Sequence, residues 1–119
     1  MSANTADAIV VLMTAADRDE ASRIAEMLVN SRLAACVQVL PEIHSVYRWK
    51  GEVERNIETL LLAKTTSDKF DELDRAVREI HSYDTPEIIA LPVTATSKPY
   101  LEWLKENSRP EWGEADYVG

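Results

Sequence analysis

Hydrophobic positions change period several times along the chain, and each change marks an element. Ile9-Val10-Val11-Leu12-Met13 is an unbroken aliphatic run, which reads as a central strand covered on both faces. Ala21, Ile24, Ala25, Leu28 and Val29 then recur at i, i+3, i+4, i+7 and i+8, one apolar helix face. Asp17 and Glu20 open that helix as a capping box, and it should end near Ser31. Two strand-like runs follow, Ala34 to Trp49 and Glu52 to Lys64, folded back on each other around Lys50-Gly51. Gly51 is the only glycine among the first 112 residues, and it supplies the positive φ that a tight reversal needs. A strand of sixteen residues is about 50 Å long. A domain of this length forms a globule of radius of gyration about 13–14 Å. The hairpin should therefore overshoot its own domain.

The simplest two-residue register sets Val39 opposite Leu62 and Pro41 opposite Leu60, and sets Tyr47 opposite Glu54 and Trp49 opposite Glu52. The base is apolar and the tip amphipathic. Aromatic side chains on an exposed two-stranded ribbon call for cover from another chain. The alternative is that Pro41 ends the first strand and Glu42 to Tyr47 is an ordinary surface loop.

Beyond the hairpin, Ser67 can cap a second helix whose stripe is Phe70, Leu73, Val77 and Ile80. Asp71 with Arg75 and Asp74 with Arg78 are i,i+4 pairs on its wet side. Pro86 stops helical geometry at Thr85, and Glu87 to Ala95 resumes strand character, with Pro92 placing that strand at an edge or bulge. Ser97 and Pro99 start a third helix through Tyr100, Leu101, Trp103 and Leu104. Residues 1–7 should be frayed and residues 108–119 irregular, with Trp112 and Tyr117 as possible anchors. The order βαββαβ plus a C-terminal helix predicts an α+β, ferredoxin-like sandwich in a single domain over residues 1–119.

Composition narrows the partners. A net charge of -8 without a basic run disfavours nucleic acid and anionic membranes. Cys36 is the single cysteine, so no intrachain disulfide can form, and it should pack as a small apolar residue. Met1 to Asp7 lacks a basic flank, and Ala8 to Met13 is too short for a signal peptide or a membrane span. A cytoplasmic protein is expected.

Few residues can carry chemistry. Three glycines exclude a Gly-rich phosphate loop, and no G-x-S-x-G, H-E-x-x-H or C-x-x-C occurs, so a non-enzyme without an obligatory cofactor is expected. His81, with Asp84 and Glu87 at spacings of three and six, offers an imidazole and carboxylates suited to Cu(II), Zn(II) or Ni(II). The other reading is a structural histidine whose ring nitrogens bond the loop backbone or a neighbouring subunit. Met13 could present a thioether to Cu(I), or sit in the core.

The motifs Leu33-Ala34-Ala35-Cys36-Val37, Ser45-Val46-Tyr47-Arg48-Trp49-Lys50-Gly51, Lys64-Thr65, His81-Ser82-Tyr83-Asp84-Thr85-Pro86-Glu87-Ile88 and Tyr100-Leu101-Glu102-Trp103-Leu104 stand in the order of a known family. From about Ile9 to Leu104 the chain resembles the CutA divalent-cation tolerance family. That resemblance implies a subunit similar to the PII signalling proteins, a tight homotrimer built through the long hairpin, and a cytoplasmic role in tolerance of copper and other divalent cations. It also implies that Tyr47, Trp49, Lys64, Tyr83 and Trp103 line an intersubunit cleft, the other reading of these residues being plain packing at the interface. The rival function is a PII-like module that binds a small effector or a partner protein there. Two departures stand out. The family usually has His-Pro-Tyr where this chain has His81-Ser82-Tyr83, and some members carry a cysteine at the end of the first strand, where this chain has Met13.

Overall fold

A computed structural model describes residues 7–109. The expectations for residues 1–6, and for Trp112 and Tyr117, lie outside the described residues. The order is β1 (Ala8–Ala15), α1 (Arg18–Asn30), β2 (Cys36–Trp49), β3 (Glu52–Thr66), a 3-10 turn (Ser67–Lys69), α2 (Phe70–Ile80), β4 (Ile88–Pro92) and α3 (Lys98–Asn107). The four strands form one antiparallel sheet in the order β2-β3-β1-β4. With α1 and α2 on one face this is the ferredoxin-like sandwich, and the extra helix α3 is present.

The core lies between the sheet and these two helices. Ile9, Val11, Met13 and Ala15 of β1 and Leu61 and Ala63 of β3 meet Ala21, Ile24 and Leu28 of α1 and Leu73 and Val77 of α2. Val29 and Ile80, expected on the two buried stripes, are exposed instead. Both lie in the last turn of their helices, where the stripe has run off the sheet. The opposite sheet face carries Leu12 between Leu62 and Ile89, and Val10 next to Leu91. Leu40, Ile89 and Leu91 on that face remain exposed.

Helix α1 begins as the sequence requires, with the Asp17 carboxylate accepting the Glu20 N–H at 2.9 Å. It ends in a Schellman arrangement: Arg32 takes a φ of 61°, its N–H reaches the Val29 carbonyl, and the Leu33 N–H reaches the Leu28 carbonyl. A glycine is the usual residue there. The arginine is explained by its side chain, which donates to the backbone carbonyls of Glu106, at 3.0 Å, and Arg109, tying α1 to the end of α3. Because the Leu33 and Ala34 N–H groups both turn back to Leu28, β2 starts at Cys36 and not at Ala34.

The hairpin crosses its domain as expected. The described chain measures 53 × 28 × 23 Å, with a radius of gyration of 15.6 Å. Its tip keeps the predicted register, Tyr47 opposite Glu54 and Trp49 opposite Glu52. Its base does not. Val39 faces Leu61, Leu40 faces Leu60, and the pairing shifts by one between Leu40 and Ile43. The cause is a bulge at Pro41-Glu42: Pro41 has no N–H for the ladder, and Glu42 takes a φ of 65°. The strand continues through the bulge, so the surface-loop alternative is excluded.

Three smaller expectations are corrected. Ser67 opens the 3-10 turn and does not cap α2, whose N-terminal flank is Lys69. Of the two i,i+4 pairs on α2, Asp74 and Arg78 form a two-pronged contact with both distances at 3.1 Å, while Asp71 and Arg75 make none among the described residues. Ordering two exposed side chains cancels most of the gain from such a pair. Strand β4 runs only from Ile88 to Pro92, on the sheet edge where a proline is tolerated.

At the turn both residues are left-handed, Lys50 at a φ of 51° and Gly51 at 82°, as a two-residue type I′ hairpin requires. A Cβ on Gly51 would meet nothing within 4 Å, so a side chain there costs backbone strain alone. Gly51→Ala should lower stability by about 1–2 kcal/mol. Lys50→Asn should raise it by a few tenths of a kcal/mol, because asparagine tolerates that conformation better. Urea denaturation of both variants checks the pair; a destabilised Lys50→Asn protein would show that the turn is not of this type.

Candidate functional site

The loop between α2 and β4 is held against the sheet by one buried carboxylate. Glu20, at the third position of α1, is 4% exposed. Its Oε1 accepts the Ala16 N–H at 2.9 Å and the Ser82 hydroxyl at 3.0 Å, and its Oε2 accepts the Ser82 N–H at 2.6 Å. Burial pushes the Glu20 carboxyl up, but these hydrogen bonds and the neighbouring His81 outweigh it and leave the group below its ordinary 4.5. The capping box thus also anchors a loop more than sixty residues away in the chain.

His81 does not project from its loop, which corrects the expectation of an imidazole open to metal. Its side chain is fully buried. Nδ1 accepts the Tyr83 N–H at 3.0 Å, which leaves Nε2 to donate to the Thr14 carbonyl at 2.8 Å. Nδ1 also lies 3.6 Å from Glu20 Oε2. The structural reading of the histidine is the one this geometry carries. Met13 is fully buried in the core, so its sulfur faces packed aliphatic side chains. Among the described residues no group of three or more His, Cys, Asp or Glu side chains could hold a metal ion. His81, Asp84 and Glu87 therefore do not gather into a metal-holding set among the described residues.

What the loop does build is a cleft. Tyr83 leans on the His81 ring, with centroids 4.8 Å apart, and its hydroxyl donates to Glu58 Oε2 at 2.7 Å. Burial and this carboxylate hold the Tyr83 phenol protonated far above its ordinary range. Tyr83, Asp84, Thr85 and Glu87 form one wall, and Ser45, Val46, Tyr47, Trp49 and Asn56 of the hairpin arm form the other. Thr14 and Glu58 also line the space, which has a volume of about 580 Å³. The Asn56 amide donates to the Tyr47 hydroxyl and steadies the arm wall. Among the described residues no lysine, arginine or histidine lines the cleft.

Of the five residues expected in an intersubunit cleft, Tyr47, Trp49 and Tyr83 come together here within one subunit. Lys64 and Trp103 do not. Lys64 bonds Gln38 at the base of the hairpin, and Trp103 packs on Tyr100, with centroids 5.5 Å apart, on α3. Tyr100 in turn covers the half-buried Cys36. Sequence reasoning missed Glu58, Asn56, Ser82 and the second role of Glu20. Glu58 had a usable signal, an acid two residues from Leu60 and four from Leu62 and so on their side of the strand.

A ferredoxin-like domain with a protruding hairpin beside an aromatic and acidic cleft defines the class of protein. The family model for CutA1 divalent ion tolerance proteins matches residues 9–107. The divalent-cation tolerance protein CutA of Thermus thermophilus is 48% identical over 99 residues, which is 83% of this chain and 96% of that one. The chloroplastic CutA of Arabidopsis thaliana is 44% identical over 91% of this chain, which spans only 59% of the plant protein's length. The crystal structure of CutA1 from Oryza sativa superposes with a TM-score of 0.85 at 40% identity, covering 91% of this chain and all of that one. The chain belongs to the CutA1 divalent ion tolerance family.

The anchoring of the loop gives a pH-dependent test. A carboxyl held below its ordinary pKa stabilises the fold at neutral pH, and that contribution is lost as pH falls through the folded-state value. Glu20→Gln should cost about 1–3 kcal/mol at pH 7. The gap between parent and variant should close as pH drops below 4.5, the ordinary value of the group. Denaturation at several pH values checks this; a gap that persists unchanged at acid pH would remove the charge of Glu20 from the argument.

Proposed function

We propose that the chain serves divalent-cation tolerance as one subunit of a cytoplasmic homotrimer, acting by binding and not by catalysis, with its ligand taken up in the cleft between hairpin arm and loop. The observation that carries this reading is the charge of the cleft: Glu58, Asp84 and Glu87 line it and, among the described residues, no basic side chain does. In a chain of net charge -8, that pocket draws cations. The trimer is supported by what one subunit leaves uncovered. Leu40, Ile89 and Leu91 are exposed on the open sheet face, and Val46, Val53 and Ile57 on the arm.

A divalent metal such as copper, zinc or nickel would meet carboxylates here and not the enclosed imidazole of His81. Oxygen donors in an open cleft make that a loose, salt-sensitive association. A second reading, a PII-like module for a small effector, is favoured by one observation, the aromatic wall of Tyr47, Trp49 and Tyr83.

Two measurements test the proposal. Light scattering should give three times the chain mass, and Leu91→Glu, which buries a charge if the open face is an interface, should lower that mass while circular dichroism stays native. An unchanged trimer would place the interface elsewhere. In calorimetry with Cu(II), Zn(II) and Ni(II), the Asp84→Asn, Glu87→Gln double variant should lose most of the binding, and His81→Ala should keep it. Loss of binding in His81→Ala with the assembly intact would return the metal to the histidine.

A further inference from the structure

The walls of the cleft distinguish one kind of cation from another. We propose that its ligand is an organic ammonium ion, a small molecule with a substituted or quaternary nitrogen, held by cation–π contact with the hairpin aromatics and by the cleft carboxylates. This rests on the reading of the cleft as the ligand site.

Four features point the same way. The cavity, about 580 Å³, has the size of a small-molecule site and far exceeds what a bare metal ion needs. Its donors are spread along both walls and do not gather into a metal-holding set among the described residues. Glu58 is only 7% exposed and fixed by the Tyr83 hydroxyl, so one negative charge is held rigidly at the wall. The tip already shows the interaction in question, because the Lys50 ammonium stands over the Trp49 ring, 5.9 Å from its centroid. Trp49 itself is 47% exposed, so its ring is open to solvent as well as to Lys50.

The chemistry also excludes alternatives. Aromatic faces carry negative charge density and attract weakly hydrated cations, the case of methylated or alkylated nitrogen. A phosphate-bearing effector would need arginine, lysine or a run of backbone N–H groups, and among the described residues no cationic side chain lines the cleft, the Lys50 ammonium standing over the Trp49 ring. A neutral apolar molecule would fill the aromatic part but leave the carboxylates of Glu58, Asp84 and Glu87 uncompensated as it displaced their water.

The probe is choline, paired with 3,3-dimethylbutan-1-ol, which has the same shape and no charge. Binding to the full chain is read by tryptophan fluorescence and calorimetry. Choline should bind, and the neutral isostere should bind at least about tenfold more weakly, the factor that corresponds to one desolvated cation–π contact. Trp49→Leu and the Asp84→Asn, Glu87→Gln double variant should each weaken choline by a similar factor. The double variant changes only loop side chains, so it keeps the test informative if Trp49→Leu fails to assemble. If choline and its isostere bind alike, or neither binds, while Cu(II) binding remains sensitive to the loop carboxylates, the organic-cation inference is overturned and the cleft reading survives. If the cleft variants change neither choline nor metal binding, both fall.

Discussion

Unequal strand length is the constraint on which the rest of the molecule depends. Strand β3 has fifteen residues and β1 has eight, paired from Ala8 with Thr66 to Ala15 with Thr59. Among the described residues, Glu52 to Glu58 therefore have β2 as their only neighbour in the sheet. That stretch becomes an arm, and where β1 stops the sheet opens into a notch. Thr14, near the end of β1, and Glu58, the first residue of β3 beyond the β1 pairing, sit at the notch and line the cleft. Site and protrusion share one origin. The bulge at Pro41-Glu42 falls at the same level, where β2 leaves the body of the sheet, and bulges are common at such edges.

An arm alone would make only one wall. The second comes from the loop after α2, and its position depends on buried polar contacts more than on apolar packing. Glu20 gathers Ala16 and both donors of Ser82, His81 spans Tyr83 and the Thr14 carbonyl, and Tyr83 reaches Glu58. Among the described residues no buried side-chain polar atom lacks a partner. A fully satisfied network of this kind specifies one geometry, because any shift leaves a charged or polar group unpaired. The helical layer, which touches no part of the cleft directly, thereby sets the spacing of its walls.

Much of this was legible in the residues. Apolar runs, period-3.6 stripes and helix-start residues located the strands and helices of the described residues, and Gly51, the first glycine in the chain, located the turn. What failed did so for specific physical reasons. A register counted outward from Gly51 holds to Ile43 and then slips, because a bulge is a backbone event that Pro41 hinted at without fixing. His81 stayed open between a metal ligand and a structural histidine, because the partner that decides between them, the Thr14 carbonyl, lies on another strand and is invisible to local spacing. Lys64 and Trp103 were grouped with Tyr47, Trp49 and Tyr83 by resemblance alone, as residues of a cleft between chains, and within a single chain they stand apart from it.

Ser82 shows how a departure from a family pattern can keep the local backbone conformation. His81 has φ -78° and ψ 144°, the extended geometry that a following proline would itself impose. The serine reaches that backbone without the ring, so the rigidity has to come from elsewhere. It comes from the N–H that proline lacks and the hydroxyl that proline also lacks, both spent on Glu20. Hydrogen bonds to a buried carboxylate are worth more than neutral ones, about 1.5–3 kcal/mol each. The entropy that proline saves is about 0.4–1 kcal/mol. Local stiffness built into the chain is here replaced by a tertiary contact with α1. The loop keeps its shape, and its hold on the cleft wall becomes dependent on the ionisation of Glu20, a dependence that the prolyl version of the loop would carry less strongly.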